Sequence, residues 1–79
     1  MNLEIRWDNE LHYIQANNYY EGCIKTIKEF VEENHNEDIP ISTFLVTNLD
    51  NMDSCEIGME IVVAIMAAAN NYEDEPVEV

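Results

Sequence analysis

The feature that most constrains the fold is an apolar run at residues 57–69. Glu60 is its one charged residue. The run is shorter than the roughly 20 apolar residues that a membrane-spanning helix needs. Just before it, Asp53 and Glu56 have the spacing of a capping box, which marks a helix start. We therefore predict a buried core helix over residues 54–71, with Ile61 among its buried positions.

The N-terminal segment alternates between apolar and polar residues, with Leu3, Ile5 and Trp7 on one face. This period of two indicates a half-buried strand. A polar turn at 8–10 and a second strand at 11–15 complete a predicted β-hairpin over about residues 2–15. A helix over 9–16, capped by Asp8, is the alternative. The hairpin is favoured because the residues at 12–14, His-Tyr-Ile, are modest helix formers.

An amphipathic helix is predicted over residues 18–34, where Asn18 and Glu21 have capping-box spacing. Apolar side chains then repeat with the helical period, at Tyr20, Cys23, Ile24, Ile27, Phe30 and Val31.

The segment 41–49 fits either a short strand or a helix. Its β-branched residues favour a strand, whereas Pro40, in the first turn of a helix capped by Asp38, favours a helix. Together the segments predict a small α+β domain over residues 1–72, followed by an acidic flexible tail at 73–79. An all-α arrangement of four helices is the alternative.

The charge of the chain restricts its partners. Seventeen Asp and Glu residues face three Lys and Arg residues, for a formal net charge of -14. Only Arg6, Lys25 and Lys28 could contact phosphates, which argues against direct nucleic-acid binding. A basic protein is the natural electrostatic complement.

The carboxylates themselves are the candidate partner-binding groups, and they fall into three clusters. Carboxylates one helical turn apart lie about 5–6 Å from each other, comparable with the charge spacing along a nucleic-acid strand. Acidic rows on helices could therefore imitate the charge of DNA or RNA. The candidates are Glu29, Glu32, Glu33, Glu37 and Asp38; Asp50, Asp53, Glu56 and Glu60; and Glu73, Asp74 and Glu75. Tyr19, placed beside the apolar face of its helix, is a possible exposed aromatic anchor for a partner.

No catalytic, cofactor or metal motif is present. Neither the histidines at 12 and 35 nor the cysteines at 23 and 55 have the spacing of metal ligands. Two cysteines are too few for a disulfide framework, and the N-terminus lacks a signal-peptide pattern. We therefore expect a non-enzymatic cytoplasmic protein, a monomer or a homodimer, with no cofactor and no membrane anchor.

In size and charge the chain resembles small acidic inhibitors encoded by phages and mobile elements, such as anti-CRISPR and anti-restriction proteins and nuclease immunity proteins. The likeness lies in composition and not in a residue motif. It implies a protein that imitates nucleic-acid charge and blocks the basic site of a defence or nuclease complex. The alternative is an acidic adaptor or a homo-oligomeric interaction domain. The first predicts that the acidic clusters converge on one face, and the second predicts an even spread or an exposed apolar patch on the 57–69 segment.

Overall fold

The computed structural model describes residues 1–74 and contains four strands and two helices. In chain order these are β1 (Asn2–Trp7), β2 (Glu10–Gln15), α1 (Tyr19–Glu33), β3 (Phe44–Asn48), β4 (Asp53–Ile57) and α2 (Met59–Asp74). The predicted α+β class is confirmed, and the all-α alternative is wrong.

The strands form one antiparallel sheet in the order β2-β1-β3-β4. Leu3, Ile5 and Trp7 of β1 point to the face that the helices cover, as the alternation predicts, and all three are buried. The opposite face carries more polar side chains and remains open to solvent. The chain thus forms a ββα unit twice, with β1 and β3 paired at the centre of the sheet.

The predicted N-terminal hairpin is confirmed. Trp7 pairs with Glu10, which leaves Asp8 and Asn9 as a two-residue turn. Both turn residues have positive φ, 52° and 67°. This is the pattern of a type I′ turn, and Asp and Asn tolerate it better than most residues.

Helix α1 is also confirmed, together with its cap. The Asn18 side chain accepts a hydrogen bond from the Glu21 backbone N–H at 2.8 Å, while Glu21 Oε1 accepts one from the Asn17 N–H at 3.0 Å. Gly22 is buried against the sheet, where an added Cβ would lie 2.5 Å from Leu3 Cδ1. The absence of a side chain therefore allows a close approach of helix to sheet.

The core is aromatic at the end of the sheet where β1 ends. The rings of Trp7 and Phe44 stack with centroids 5.0 Å apart, and Phe30 packs edge-on against Trp7 at 5.6 Å. The indole Nε1–H donates to the Ser42 carbonyl at 3.1 Å, so the buried indole is hydrogen-bonded.

The predicted core helix over 54–71 is wrong in its start and in its burial. Residues 53–57 form β4, which pairs with β3, and α2 begins only at Met59. Within α2, Met59 and Val62 are buried, but Ile61 is 47% exposed, so it is not a core residue. The capping-box spacing of Asp53 and Glu56 occurs here in a strand.

Two further boundaries differ from the predictions. In the ambiguous segment 41–49, only Phe44–Asn48 is a strand, since pairing with β4 begins at Phe44 and pairing with β1 at Leu45. Helix α2 continues to Asp74, so residues 73 and 74 belong to it and not to a tail. The remainder of the predicted tail, residues 75–79, lies outside the described residues.

Candidate partner-binding surface

The direction of α1 determines where its carboxylates lie. Near its start, Gly22 contacts Leu3 at the beginning of β1. Further along, Phe30 packs on Trp7 at the end of the same strand. The C-terminal end of α1 therefore lies at the edge of the domain that also carries the β1–β2 turn.

Several exposed carboxylates collect at this edge, which we call the acidic end. Some come from the hairpin turn, others from the last turns of α1 and the segment that follows, and one from the start of α2, three residues after the last residue of β4. The acidic end comprises Asp8, Glu10, Glu29, Glu32, Glu33, Glu37, Asp38 and Glu60.

His12 connects two parts of the acidic end. Its Nε2 lies 3.7 Å from Glu10 Oε1, and its Nδ1 lies 4.0 Å from Glu29 Oε1. The imidazole therefore sits between a carboxylate of β2 and one of α1. Asp8 and Glu10 were not among the predicted partner-binding residues, because their closeness to α1 depends on the fold of the hairpin and not on sequence spacing.

The second predicted cluster does not stay together. Asp50 and Asp53 lie at the β3–β4 turn, at the opposite end of the sheet from the acidic end. Asp50 has a structural role there, since its carboxylate accepts hydrogen bonds from the backbone N–H and side-chain amide of Asn2 at 3.2 and 3.3 Å. Glu56 is on the open face of the sheet, and Glu60 belongs to α2, so they are not one helical turn apart.

The third cluster is only partly described. Glu73 and Asp74 are the last two residues of α2. Glu75 lies outside the described residues.

Tyr19, the predicted aromatic anchor, is half-buried and packs against the core. Its neighbour Tyr20, which the helical period placed on the apolar face, is 45% exposed. Tyr19 is three and four residues before the buried Gly22 and Cys23, so it shares the face of α1 that meets the sheet. Of these two residues, Tyr19 is therefore a packing residue, and Tyr20 is exposed at the surface.

Helix α2 exposes much of its apolar surface. Ile61 and Val63 are 47% and 48% exposed, and Ile65 is 37% exposed. The alanines at 64 and 67–69 are exposed as well. No helix within residues 1–74 is long and apolar enough to span a membrane. An exposed apolar surface of this kind is typical of a site that contacts another protein.

Part of this surface forms an open cleft of about 250 Å³ between the two helices and the segment that follows α1. Buried Ile27 and Met59 contribute to it together with half-exposed side chains. Its lining residues are Ile27, Ile39, Met59, Val63, Met66 and Ala67. The cleft adjoins the acidic end, because Asp38 precedes Ile39 and Glu60 follows Met59.

The two lysines of α1 neutralise little of the negative charge at the acidic end. Lys25 lies 3.5 Å from Glu21 and donates to the Gln15 carbonyl at 2.9 Å, so it is engaged at the other end of α1. Hydrogen bonding by the Asn17 backbone N–H, aided by Lys25, lowers the pKa of Glu21. Lys28 is exposed and makes no ion pair within 4.0 Å among the described residues.

Both cysteines are free thiols. Burial raises the pKa of Cys23, on α1, to about 12, and it also raises the pKa of Cys55, on β4. A thiol held in its protonated form is a poor nucleophile and a poor metal ligand. In the part of the chain that the structure describes, no group of three His, Cys, Asp or Glu side chains is arranged to hold a metal ion.

Comparison of the chain with protein-family models, with curated proteins and with solved structures finds no match.

Proposed function

We propose that this protein is a non-enzymatic, cytoplasmic binding protein whose acidic end occupies a basic site on another protein. The observation that carries the proposal is the convergence of carboxylates from the hairpin turn, the end of α1 and the start of α2. Opposite charge at this density favours a basic partner and accelerates association.

Within this proposal, the basic site is one that normally binds DNA or RNA, and the protein acts as an inhibitor by charge mimicry. Support comes from the helical spacing of Glu29, Glu32 and Glu33, which places carboxylates one turn apart at about 5–6 Å. The helix provides a firm support for this spacing because Phe30, in the same turn, packs on Trp7. The mimicking surface is smaller than the twelve predicted residues, since Asp50 and Asp53 lie at the opposite end.

The last turn of α1 gives the mimicry a specific test. Glu32 and Glu33 are exposed, and the last turn contains no basic residue. Replacing both by lysine should leave the fold intact, because cations are favoured near the C-terminal end of a helix dipole.

The experiment uses immobilised wild-type protein to capture proteins from a bacterial lysate at about 50 mM salt, followed by elution with duplex DNA or with uncharged dextran. We expect basic proteins that elute with DNA but not with dextran, and that are lost at about 200 mM salt. The Glu32→Lys, Glu33→Lys bait should capture much less of them. A bait with Asp50→Lys and Asp53→Lys, both at the opposite end of the sheet, has the same net charge. Once circular dichroism has shown that it is folded, it should behave like the wild type. Captured proteins that DNA fails to displace would exclude mimicry.

A second candidate function, that of an adaptor or self-associating domain, is favoured by the exposed apolar surface of α2. Such binding would persist at high salt, because apolar contacts are not screened. Retention of the same captured protein at about 1 M salt, with no displacement by DNA, would support this candidate over charge mimicry.

A further inference from the structure

We infer that the cleft between α1 and α2 is a docking groove for an amphipathic helix of the basic partner. This inference rests on the proposed function and adds to it the apolar contact that would give the charged interaction its specificity.

The cleft is suited to side chains more than to a small molecule. Its volume of about 250 Å³ lies below the roughly 300–1,000 Å³ of small-molecule sites. Ile27 and Met59 in its lining are 2% and 8% exposed, so they offer a fixed apolar base. Val63, at 48%, and Ile39, at 39%, are exposed enough to be covered by an incoming group.

The cleft has a partly helical wall. Val63, Met66 and Ala67 are three and four residues apart along α2, so they line one face of that helix. An amphipathic helix inserts apolar residues with the same spacing into a groove of this type. In the segment after α1, Ile41, two residues beyond the cleft residue Ile39, is a further exposed apolar side chain, at 88%.

The carboxylates next to the cleft favour a positively charged partner. Glu37 and Asp38 precede Ile39, and Glu60 follows Met59, so carboxylates border the apolar lining on both sides. A second copy of this chain would bring its own net charge of -14 to the contact and would be repelled. The complementary partner therefore carries lysine or arginine beside an apolar stripe.

Two synthetic peptides separate the apolar contact from the charge. The first contains leucine and lysine at amphipathic helical spacing, and the second has every leucine replaced by serine. Binding is measured by fluorescence anisotropy at about 50 mM salt, a concentration at which charged contacts are strong. We expect the leucine peptide to bind at least about tenfold more tightly, since one tenfold step corresponds to 1.4 kcal/mol.

Paired variants of α2 locate the apolar contact. Val63→Ser should weaken the leucine peptide about tenfold and leave the serine peptide unchanged. Ile61→Ser is the matched control, because Ile61 has almost the same exposure, 47%, but does not line the cleft. Ala67→Trp, which fills the cleft from an exposed position, should weaken the leucine peptide as well. Circular dichroism checks that each variant is folded.

Each outcome is decisive. Equal effects of Val63→Ser and Ile61→Ser, or no effect of Ala67→Trp, would overturn the groove while leaving the proposed function standing. Failure of both peptides to bind would count against the proposed function itself. Concentration-dependent dimerisation in sedimentation, abolished by Val63→Ser, would assign the cleft to a second copy and overturn the inference.

Discussion

The two ββα units of this protein have the same order of elements but use their helices differently. Helix α1 buries Gly22, Cys23, Thr26 and Ile27 against the sheet and turns its charged residues outward. Helix α2 is more apolar, but within its residues 59–69 only Met59 and Val62 are buried, and much of the apolar surface there is exposed. The comparison shows that an amphipathic pattern predicts burial better than total hydrophobicity does. The first unit supplies much of the core, and the second offers apolar surface for contact.

The same isoleucine-to-alanine truncation, made once in each helix, should change the stability most. Ile27, on α1, is 2% exposed, so Ile27→Ala should lower the free energy of unfolding by about 2–5 kcal/mol. Ile61, on α2, is 47% exposed, so Ile61→Ala should cost less than about 1 kcal/mol. Urea denaturation measures both. Comparable losses for the two variants would mean that α2 is packed as tightly as α1, contrary to the exposures of Ile27 and Ile61.

A smaller effect tests the close contact between α1 and the sheet. In Gly22→Ala the new Cβ would lie 2.5 Å from Leu3 Cδ1 and 3.2 Å from Ile5 Cδ1. Overpacking of this kind costs about 1–3 kcal/mol, and alanine recovers about 1 kcal/mol of helix propensity. We expect a net loss of about 1 kcal/mol in urea denaturation.

A double-mutant cycle provides the control for Gly22. Leu3→Val removes the Cδ1 atom that the new Cβ would meet, so the Gly22→Ala loss should shrink in its presence. An unchanged loss in the double variant would show that the contact with Leu3 is not its cause.

The two helices also start differently. Substitutions at the two starts should therefore change the stability in opposite directions. Asn18 caps α1 through its side chain, so Asn18→Ala should cost about 1 kcal/mol of stability. Helix α2 begins after Gly58, whose carbonyl accepts hydrogen bonds from residues 61 and 62 but which has no side chain to act as a cap. Gly58→Ser should therefore raise the stability by a few tenths of a kcal/mol. A stability loss in Gly58→Ser would contradict this description of the second helix start.

The buried thiol of Cys23 makes the stability of the protein depend on pH. The pKa of Cys23 is raised to about 12 in the folded protein, whereas an unfolded thiol has a pKa of about 8.5. Because the folded pKa is the higher one, the stabilising contribution of the protonated thiol is complete below pH of about 8.5 and is lost as the pH rises towards about 12.

Thiol labelling at pH of about 8.5 compares the accessibility of the two cysteines directly. Cys55, on β4 and only half-buried, should react first, whereas buried Cys23 should react only when the protein unfolds. Cys55→Ala leaves Cys23 as the one thiol and should give a protein that labels slowly. Rapid labelling of that variant in the folded state would contradict the burial of α1.

The parts of the fold that local patterns predict are those made from local contacts. The alternation of Leu3, Ile5 and Trp7 and the capping residue Asn18 identify the first ββα unit well. Strand β4 was missed because its residues pair with β3, and the helix-like spacing of Asp53 and Glu56 carried no information about that partner. Secondary-structure propensity and the period of apolar residues describe a segment by itself, and pairing with another strand can override both.

The candidate site was predictable to a similar extent. The carboxylates in the last turns of α1 and in the segment after it are close in sequence, so the sequence alone predicts them as one cluster. The contribution of Glu10 depends on the hairpin that brings it near Glu29, on either side of His12. Tyr19 is half-buried because it shares a helix face with Gly22 and Cys23. Which face of α1 meets the sheet is decided by tertiary packing, and the apolar period placed Tyr20 there instead.

We propose that the position of the carboxylates, and not the total charge of the chain, makes the acidic end a binding surface. The most direct measurement is the affinity of a captured basic partner for two variants of equal net charge, at the same salt concentration. We predict that Glu32→Lys with Glu33→Lys weakens binding at least about tenfold, while Asp50→Lys with Asp53→Lys, at the opposite end of the sheet, leaves it nearly unchanged. Equal weakening by the two variants would show that only the net charge matters and would contradict a binding surface at the acidic end.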